Sequence, residues 1–423
     1  MQYKKTVLSN GLRVITVPMP GSATTTVLVL VEAGSEYETK EINGLSHFLE
    51  HMCFKGTTRR PKPIMIPKEL EALGASYNAF TSTEYTGYYA KAINANFLKI
   101  LDLVSGLYIN PIIDPAEIEK ERGVITEELN MYEDIPMQKV HSVLQEAMYG
   151  DQPAGWEIGG SKETVSKLTR EDFIKYRSAR YVAANTLVVI AGAIDEKNAI
   201  SEVEKAFHNI PVGDRIPKSK TVISQTDPVL KLKTKESDQT HIALGFRAYE
   251  VRDPRRFALS VLSTYLGEGM SSRLFATVRD QLGAAYYISS EADEFMDHGE
   301  LVISAGLNHE KLELAIKTIF EQCRMLKDKQ LTATELDEIK QRLVSSFAVY
   351  LETSDAIARY YGSQEISSGE ILTPEEVIQH YLKVTSEEVQ NVAKDVFKNS
   401  SLNLALVGPE DDKASLQGLL TVE

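Results

Sequence analysis

Apolar residues recur along this chain in two patterns, the alternation typical of strands and the three-to-four-residue spacing typical of helices. Strands are predicted over residues 5–17 and 25–33, and Asn10-Gly11 within the first is a typical hairpin turn. The same patterns predict these further elements of the first half: helices within 44–56, over 66–73, over 94–109 with Asn94 as N-cap, from Asp114-Pro115 onward and over 169–180, strands within 75–92, and a buried strand over 186–192.

The second half repeats part of this pattern at an offset of 216 residues. Residues 168–173 align with 384–389, and the apolar run 186–192 aligns with 402–408. We therefore expect two duplicated domains. Other predicted elements of this half are a strand over 299–306 and helices over 310–328, 332–350 and 374–382. The predicted fold class is α+β, with two duplicated domains, each a largely antiparallel β-sheet packed with helices.

Residues 209–220 are rich in proline, glycine and charged residues, which indicates a linker between the two halves. The predicted organisation is an N-terminal domain over 1–212, a linker over 213–229 and a C-terminal domain over 230–423. At the 216-residue offset, His47 aligns with Ser263 and His51 with Gly267. The second domain is therefore expected to lack the histidine motif that the first domain carries.

Composition excludes several classes of partner. The chain has 423 residues and a formal net charge of −14, which argues against nucleic acid and anionic membranes as partners. Cys53 and Cys323 are its two cysteines, far apart in sequence, so no disulfide framework is indicated. The N-terminus runs directly into strand-like sequence, and no apolar run is long enough to span a bilayer. We therefore expect a cytoplasmic protein.

The stretch 44–56 contains the sequence His47-Phe48-Leu49-Glu50-His51. On a helix, His47 and His51 project from one face, and two imidazoles at that spacing can bind one zinc ion. Glu50 reaches the same side and is placed to take a proton from water activated by the metal. The alternative is a core helix with two hydrogen-bonded histidines, because the surrounding residues are apolar enough for burial.

A second group of carboxylates follows on the helix that begins at Asp114-Pro115. Glu121 and Glu128 are seven residues apart, so they share a stripe beside the apolar face of that helix. Inward carboxylates need a positive partner, which makes Glu128 or Glu121 a candidate third metal ligand. The alternative is that both are half-exposed surface glutamates.

Four motifs together resemble those of pitrilysin/insulinase-family zinc metallopeptidases, of the two-domain type related to mitochondrial processing peptidase. They are residues 43–57 with the histidine motif, residues 77–81 (Tyr-Asn-Ala-Phe-Thr), residues 121–128, and residues 272–279 with 283–286. The resemblance spans nearly the whole chain. It implies an inverted His-x-x-Glu-His zinc metalloendopeptidase with one zinc ion per chain.

Carried over residue by residue, the resemblance implies a role for each of the following positions. His47, His51 and Glu128 would bind zinc, and Glu50 would be the general base. Glu121 would orient a histidine ligand from outside the metal's own ligand set. Asn78 and Ala79 would lie on an edge strand to which the substrate adds by β-augmentation. Arg279 and Tyr286 would contact the substrate backbone, with Tyr286 near the scissile carbonyl.

The resemblance also bears on assembly and on activity. The family's chamber needs four such domains, and this chain supplies two, which predicts a homodimer whose Arg279 and Tyr286 face the zinc of the other subunit. The expected function is endoproteolysis of peptides or small unfolded proteins in a closed chamber, with water activated by zinc and Glu50. The alternative is a catalytically silent structural or assembly subunit, which has no need of the intact motif.

Overall fold

The structure is a computed structural model that describes residues 2–423. Its strands are β1 (Lys4–Val7), β2 (Arg13–Pro18), β3 (Thr24–Val31), β4 (Ser76–Thr81), β5 (Thr86–Ile93), β6 (Thr186–Gly192), β7 (Val229–Thr234), β8 (Thr240–Arg247), β9 (Ala285–Glu294), β10 (Gly299–Leu307) and β11 (Leu402–Gly408). Its α-helices are α1 (Leu45–Cys53), α2 (Met65–Ala72), α3 (Phe97–Ile109), α4 (Pro115–Asp134), α5 (Pro136–Tyr149), α6 (Lys162–Lys167), α7 (Arg170–Arg180), α8 (Glu196–Ala206), α9 (Arg256–Gly267), α10 (Leu312–Asp328), α11 (Ala333–Tyr350), α12 (Ser354–Ser367), α13 (Pro374–Lys383), α14 (Ser386–Val396) and α15 (Lys413–Leu419).

The first compact unit comprises Met1–Leu129, Glu157–Ser219 and Ala348–Pro374. Its six-stranded sheet has the order β1-β2-β6-β3-β5-β4, with only the β2–β6 pair parallel. Helices α1, α3, α7 and α8 contribute to a core with one face of this sheet. Strand β4 is the last strand of the sheet, so the edge of its backbone is available to pair with another strand.

The second compact unit comprises Asn130–Trp156, Lys220–Phe347 and Glu375–Glu423. Its five-stranded sheet has the order β7-β11-β8-β10-β9, with the β7–β11 pair parallel. Adding 216 to the bounds of β2, β3, β6 and α7 gives the bounds of β7, β8, β11 and α14. The duplication and the predicted α+β fold class, with largely antiparallel sheets, are confirmed.

The two units are not continuous in sequence, which differs from the predicted division at residues 213–229. Helix α5 belongs to the second unit, where Leu144 and Met148 pack in a core with Ala243 and Ala405. Its counterpart α12 belongs to the first unit. A periodic apolar face shows that a helix is buried but does not show which sheet covers it. The sequence pattern therefore carried no signal of this exchange.

Most of the predicted local signals lie at element boundaries in the structure. Asn10-Gly11 forms the turn between β1 and β2, and the Asp114 carboxylate accepts a hydrogen bond from the Ala116 backbone N–H at the start of α4. The predicted N-cap Asn94 is wrong, because α3 begins at Phe97. The Asn94 side chain instead accepts a hydrogen bond from the Thr25 hydroxyl at 2.7 Å.

The segment between α8 and β7 contains no helix or strand among the described residues. Its first part is held on the first unit by ion pairs. Arg215 pairs with the buried Glu32 at 2.6 Å, and Lys218 pairs with Glu36 and with Glu84. No helix within residues 2–423 combines the length and the apolar character needed to cross a membrane.

Candidate metal centre

Helix α1 is built to present one polar face and bury the other. Leu45, Phe48, Leu49 and Met52 are fully buried in the core of the first unit. The Phe48 ring packs edge-on against Phe173, with 4.9 Å between the ring centroids. His47, Glu50 and His51 keep part of their surface exposed.

The N-terminus of α1 is capped by a residue that precedes the helix, Glu38. Its carboxylate accepts hydrogen bonds from the backbone N–H groups of Gly44 at 2.8 Å and Ser46 at 2.5 Å. Burial raises the pKa of Glu38 to about 7, although these hydrogen bonds favour the charged form. Gly44 has φ +97°, and a Cβ there would lie 2.6 Å from the carbonyl oxygen of Gly159. This tight entry fixes where α1 begins and therefore where its histidines stand.

The structure brings His47, His51 and Glu128 together. Nε2 of His47 lies 3.7 Å from Oε1 of Glu128, and Nε2 of His51 lies 3.7 Å from its Oε2. One ligand atom from each residue can be chosen so that all three lie within 4.8 Å of one another. Two imidazole nitrogens and one carboxylate are a donor set that zinc accepts in catalytic sites, where a fourth position stays open. The three residues therefore fit a divalent metal.

Glu121 holds one of these histidines from behind. Its carboxylate lies 2.9 Å from Nδ1 of His51 and 2.5 Å from Nζ of Lys55. A proton on Nδ1 would be donated to Glu121, which leaves the lone pair of Nε2 facing Glu128. Burial favours neutral Glu121, but the hydrogen bonds from His51 and Lys55 outweigh it and lower the pKa of this carboxyl. The geometry therefore distinguishes the two carboxylates that spacing alone left open. Glu128 faces Nε2 of both histidines, and Glu121 faces Nδ1 of His51.

The pKa values of the two histidines shift in opposite directions. Burial, with the neighbouring His51, lowers the pKa of His47 to about 4, so its imidazole is neutral at neutral pH. Burial also opposes the charged form of His51, but Glu121, Glu50 and Glu128 outweigh it and raise the pKa of His51. Nδ1 of His47 is buried with no hydrogen-bond partner among the described residues. A metal ion would offset the negative charge of the carboxylates and accept the lone pairs of the imidazole nitrogens.

Glu50 stands beside the three candidate ligands and is fixed by strand β4. Its Oε2 accepts a hydrogen bond of 2.6 Å from the hydroxyl of Thr81. Burial raises the pKa of Glu50, against the lowering effects of that hydrogen bond and of His51. A buried carboxylate with a raised pKa is suited to exchanging a proton near neutral pH. Sequence reasoning gave Thr81 no role, although it sits two residues after Ala79 and therefore on the same face of β4.

Three of the remaining predicted residues lie on edge strands, and Arg279 lies on a helix. Asn78 and Ala79 are on the edge strand β4, where the Asn78 side chain accepts a hydrogen bond from the Ala79 N–H at 2.9 Å. In the second unit, Arg279 lies in a π-helix over Phe275–Gln281, with its guanidinium 4.4 Å from the Phe275 ring centroid. Tyr286 lies on the edge strand β9 and is 74% exposed.

Two duplicated α+β units, of which the first carries a His-His-Glu cluster beside the half-buried Glu50, define a two-unit protein with a candidate divalent-metal centre in its first unit. Comparison with known proteins narrows this class. A sequence profile of the insulinase family (peptidase family M16) matches residues 13–162, and a profile of the peptidase M16 inactive domain matches residues 167–343. The chain belongs to peptidase family M16, the insulinase family.

Relatives of similar length carry protease names. The uncharacterized zinc protease YmxG of Bacillus subtilis is 33% identical over 412 residues, which cover 97% of this chain and 100% of that one. The uncharacterized zinc protease SCO5738 of Streptomyces coelicolor is 30% identical over 416 residues, covering 97% and 90%. The crystal structure of a protease from Helicobacter pylori superimposes with a TM-score of 0.91 at 25% identity, covering 96% and 99%.

A more distant structure shares the fold alone. A chain of complex III2 from Candida albicans superimposes with a TM-score of 0.84 at 17% identity, covering 99% of both chains. The fold is therefore found both in proteins named as proteases and in a chain of that complex. The side chains of the metal centre, rather than the fold, must distinguish an enzyme from a silent subunit.

Proposed function

We propose that this chain is a zinc-dependent endopeptidase that hydrolyses peptides or small unfolded proteins. The observation that carries the proposal is the convergence of His47, His51 and Glu128 next to Glu50. A catalytically silent subunit would have no need of a half-buried carboxylate beside three metal-type donors. The zinc-protease names of the relatives support the same proposal.

His47, His51 and Glu128 would hold one zinc ion per chain, with His51 oriented by Glu121. When bound, zinc supplies a Lewis acid that polarises the scissile carbonyl and makes water acidic enough to lose a proton near neutral pH. Glu50 takes that proton as general base and returns it to the leaving amine. The hydroxyl of Thr81 holds Glu50 in place through this exchange.

Substrate binding is assigned to the edge of the first sheet. A peptide would add as a further strand to β4 at Asn78 and Ala79, which reads backbone more than side chains. Arg279 and Tyr286 are proposed to contact the substrate backbone, with Tyr286 near the scissile carbonyl. This part of the proposal rests on the motif resemblance and on the exposure of Tyr286.

We further propose a homodimer in which Arg279 and Tyr286 of one subunit complete the site of the other within a closed chamber. Mixing an inactive His51→Ala chain with an inactive Arg279→Ala chain tests this directly, since subunit exchange would create one intact site. No recovery of activity after exchange would contradict sharing between subunits. The cytoplasmic location belongs to the same proposal and is supported by free, buried Cys53 and Cys323.

The test of the function is peptide cleavage by the Glu50→Gln variant with its metal content measured in parallel. We expect cleavage of an unstructured peptide to fall by about 10²–10⁴-fold while zinc is retained, because Gln cannot act as a base. The matched control is Glu127→Gln, which changes an exposed glutamate beside Glu128 and should leave cleavage unchanged. Full activity of Glu50→Gln would contradict the mechanism, and an inert wild-type chain would favour the silent subunit.

A further inference from the structure

The face of the first sheet opposite Thr81 carries an aromatic cluster with one cation at its centre. Phe80 alternates with Ala79 and Thr81 along β4, so its side chain lies on the other face. The guanidinium carbon of Arg359, on α12, lies 5.0 Å from the ring centroid of Phe80 and 4.7 Å from that of Tyr89. Both rings and the cation belong to the first unit.

Arg359 pairs with no carboxylate among residues 2–423. The carboxylate one helical turn earlier on α12 already has a partner, since Asp355 pairs with Lys91 at 2.7 Å. Stacking on aromatic rings uses the flat face of a guanidinium and leaves the N–H donors on its edge. These N–H donors can bind both oxygens of a carboxylate at once.

The position of this cation relative to β4 determines which part of a substrate it would meet. The Phe80 ring lies over Gly87 of the neighbouring strand β5, where a Cβ would be 2.3 Å from Cζ of the ring. The ring is therefore directed toward β5 and away from the open edge of β4. A strand added outside β4 would place the Cβ of the residue opposite Phe80 about 5 Å from the Phe80 Cβ, on the Arg359 face.

The same alignment places this residue close to the bond that is cut. Thr81, the next residue of β4, hydrogen-bonds Glu50 on the opposite face. Successive residues of a strand are about 3.3 Å apart, so the side chain facing Arg359 belongs within about two residues of the scissile bond. A preference at this position would therefore show in the choice of cleavage site.

We propose that Arg359, framed by Phe80 and Tyr89, is a specificity-determining residue that selects an acidic side chain in the substrate residue opposite Phe80. The inference rests on the proposed function and deepens it by naming a substrate class. Aspartate and glutamate carry a carboxylate, the ion-pair partner that Arg359 does not have among residues 2–423. Their neutral amides would make weaker hydrogen bonds, and lysine or arginine would be repelled.

The test compares cleavage-site profiles on a randomised peptide pool. Wild type should favour Asp or Glu at one position near the cleaved bond by about tenfold over Asn or Gln, the size expected of one charge-assisted hydrogen bond. Arg359→Met keeps a long side chain on the rings and should lose the preference. Arg359→Glu should reverse it toward Lys and Arg. Lys175→Met, which removes a charge from the exposed face of α7, should leave the profile unchanged.

A binding arm separates this inference from the proposed chemistry. The Glu50→Gln chain, with and without Arg359→Met, is equilibrated with the same pool, and retained peptides are sequenced. Cleavage with no acidic preference, or with one that survives both Arg359 substitutions, overturns the inference and leaves the proposed function standing. Arg359-dependent retention of acidic peptides without wild-type cleavage supports the inference and overturns the hydrolytic function. Absence of both overturns both.

Discussion

Helices α1 and α9 are the counterparts of one another in the two units, and they differ in the space that each leaves beside its sheet. At the 216-residue offset, His47 corresponds to Ser263, whose hydroxyl lies 3.1 Å from that of Ser290 on β9. His51 corresponds to Gly267, where a Cβ would lie 2.3 Å from the Ser290 backbone nitrogen. Helix α9 is thus closed on its edge strand where α1 holds two imidazoles.

The rest of the metal centre shows the same contrast. Glu50 corresponds to Leu266, which is fully buried, and Glu128 corresponds to Val344. The framework is nevertheless kept, because α7 and α14 begin with the same capping box, built by Thr169 in one unit and Thr385 in the other. The duplicated framework of strands and helices is therefore present in both units, whether or not a unit carries the metal ligands. A metal centre requires a gap between helix and edge strand, and the second unit has filled that gap.

The largest effect should come from removing a ligand on α1. His51→Ala leaves two of the three donors, and we expect zinc affinity to fall by at least about a hundredfold and peptide cleavage to fall with it. Ser263→Ala, the matched change on α9, should leave metal content unchanged. Zinc competition with a chromophoric chelator measures both. Equal losses in the two variants would end the distinction between the units.

A smaller effect is expected from the carboxylate behind His51. Glu121→Gln keeps the shape but weakens the hydrogen bond to Nδ1, and we expect zinc affinity to fall by about 10–100-fold. Glu119→Gln changes an exposed glutamate on the same helix and serves as control. Zinc affinity unchanged in Glu121→Gln would show that this carboxylate does not orient His51.

A substitution on α9 should lower the stability of the fold and leave the metal centre intact. Gly267→Ala forces a Cβ against the backbone of β9 and should lower the free energy of unfolding by about 1–3 kcal/mol. Gly418→Ala, where a Cβ meets nothing within 4 Å in α15, is the control and should be neutral or slightly stabilising. Thermal unfolding distinguishes them. Tolerance of Gly267→Ala would mean that α9 is not closed on its strand.

The last expected effect is a change in the pH dependence of stability, and it concerns the cap of α1. There Glu38 accepts two backbone N–H hydrogen bonds, whereas at the start of α9 Asp253 accepts one, from Arg255. The folded-state pKa of Glu38 is raised to about 7 from an ordinary 4.5. Between those values the folded state binds a proton that the unfolded state has lost, so stability from this group is present below pH 4.5 and is lost as pH rises through 7. We expect up to about 1 kcal/mol per pH unit in chemical denaturation. Glu38→Gln should flatten that dependence, and an unchanged slope would contradict it.

Much of the centre followed from spacing within single helices. The interval from His47 to His51, and that from Glu121 to Glu128, are local properties that helical geometry converts into shared faces. The capping pattern at Asp114 was equally local. These signals grouped His47 with His51 and Glu121 with Glu128. The choice of Glu128 as the third ligand came from the family resemblance.

The residues that spacing did not reveal act on α1 from outside that helix. Glu38 caps α1 from outside the helix, and Thr81 reaches Glu50 from a strand 31 residues later. Likewise, the exchange of α5 and α12 between the units depends on which sheet buries each helix. Such contacts are decided by tertiary packing, and no periodicity within one element encodes them.

Zinc content per chain tests the central claim most directly. The account predicts one equivalent of zinc in the purified wild-type chain, and none after the double substitution His47→Ala and His51→Ala, by elemental analysis of protein with matched folding. Metal-free wild-type protein after zinc loading, or zinc that persists at one equivalent in the double variant, would contradict the assignment of the centre to α1 and Glu128.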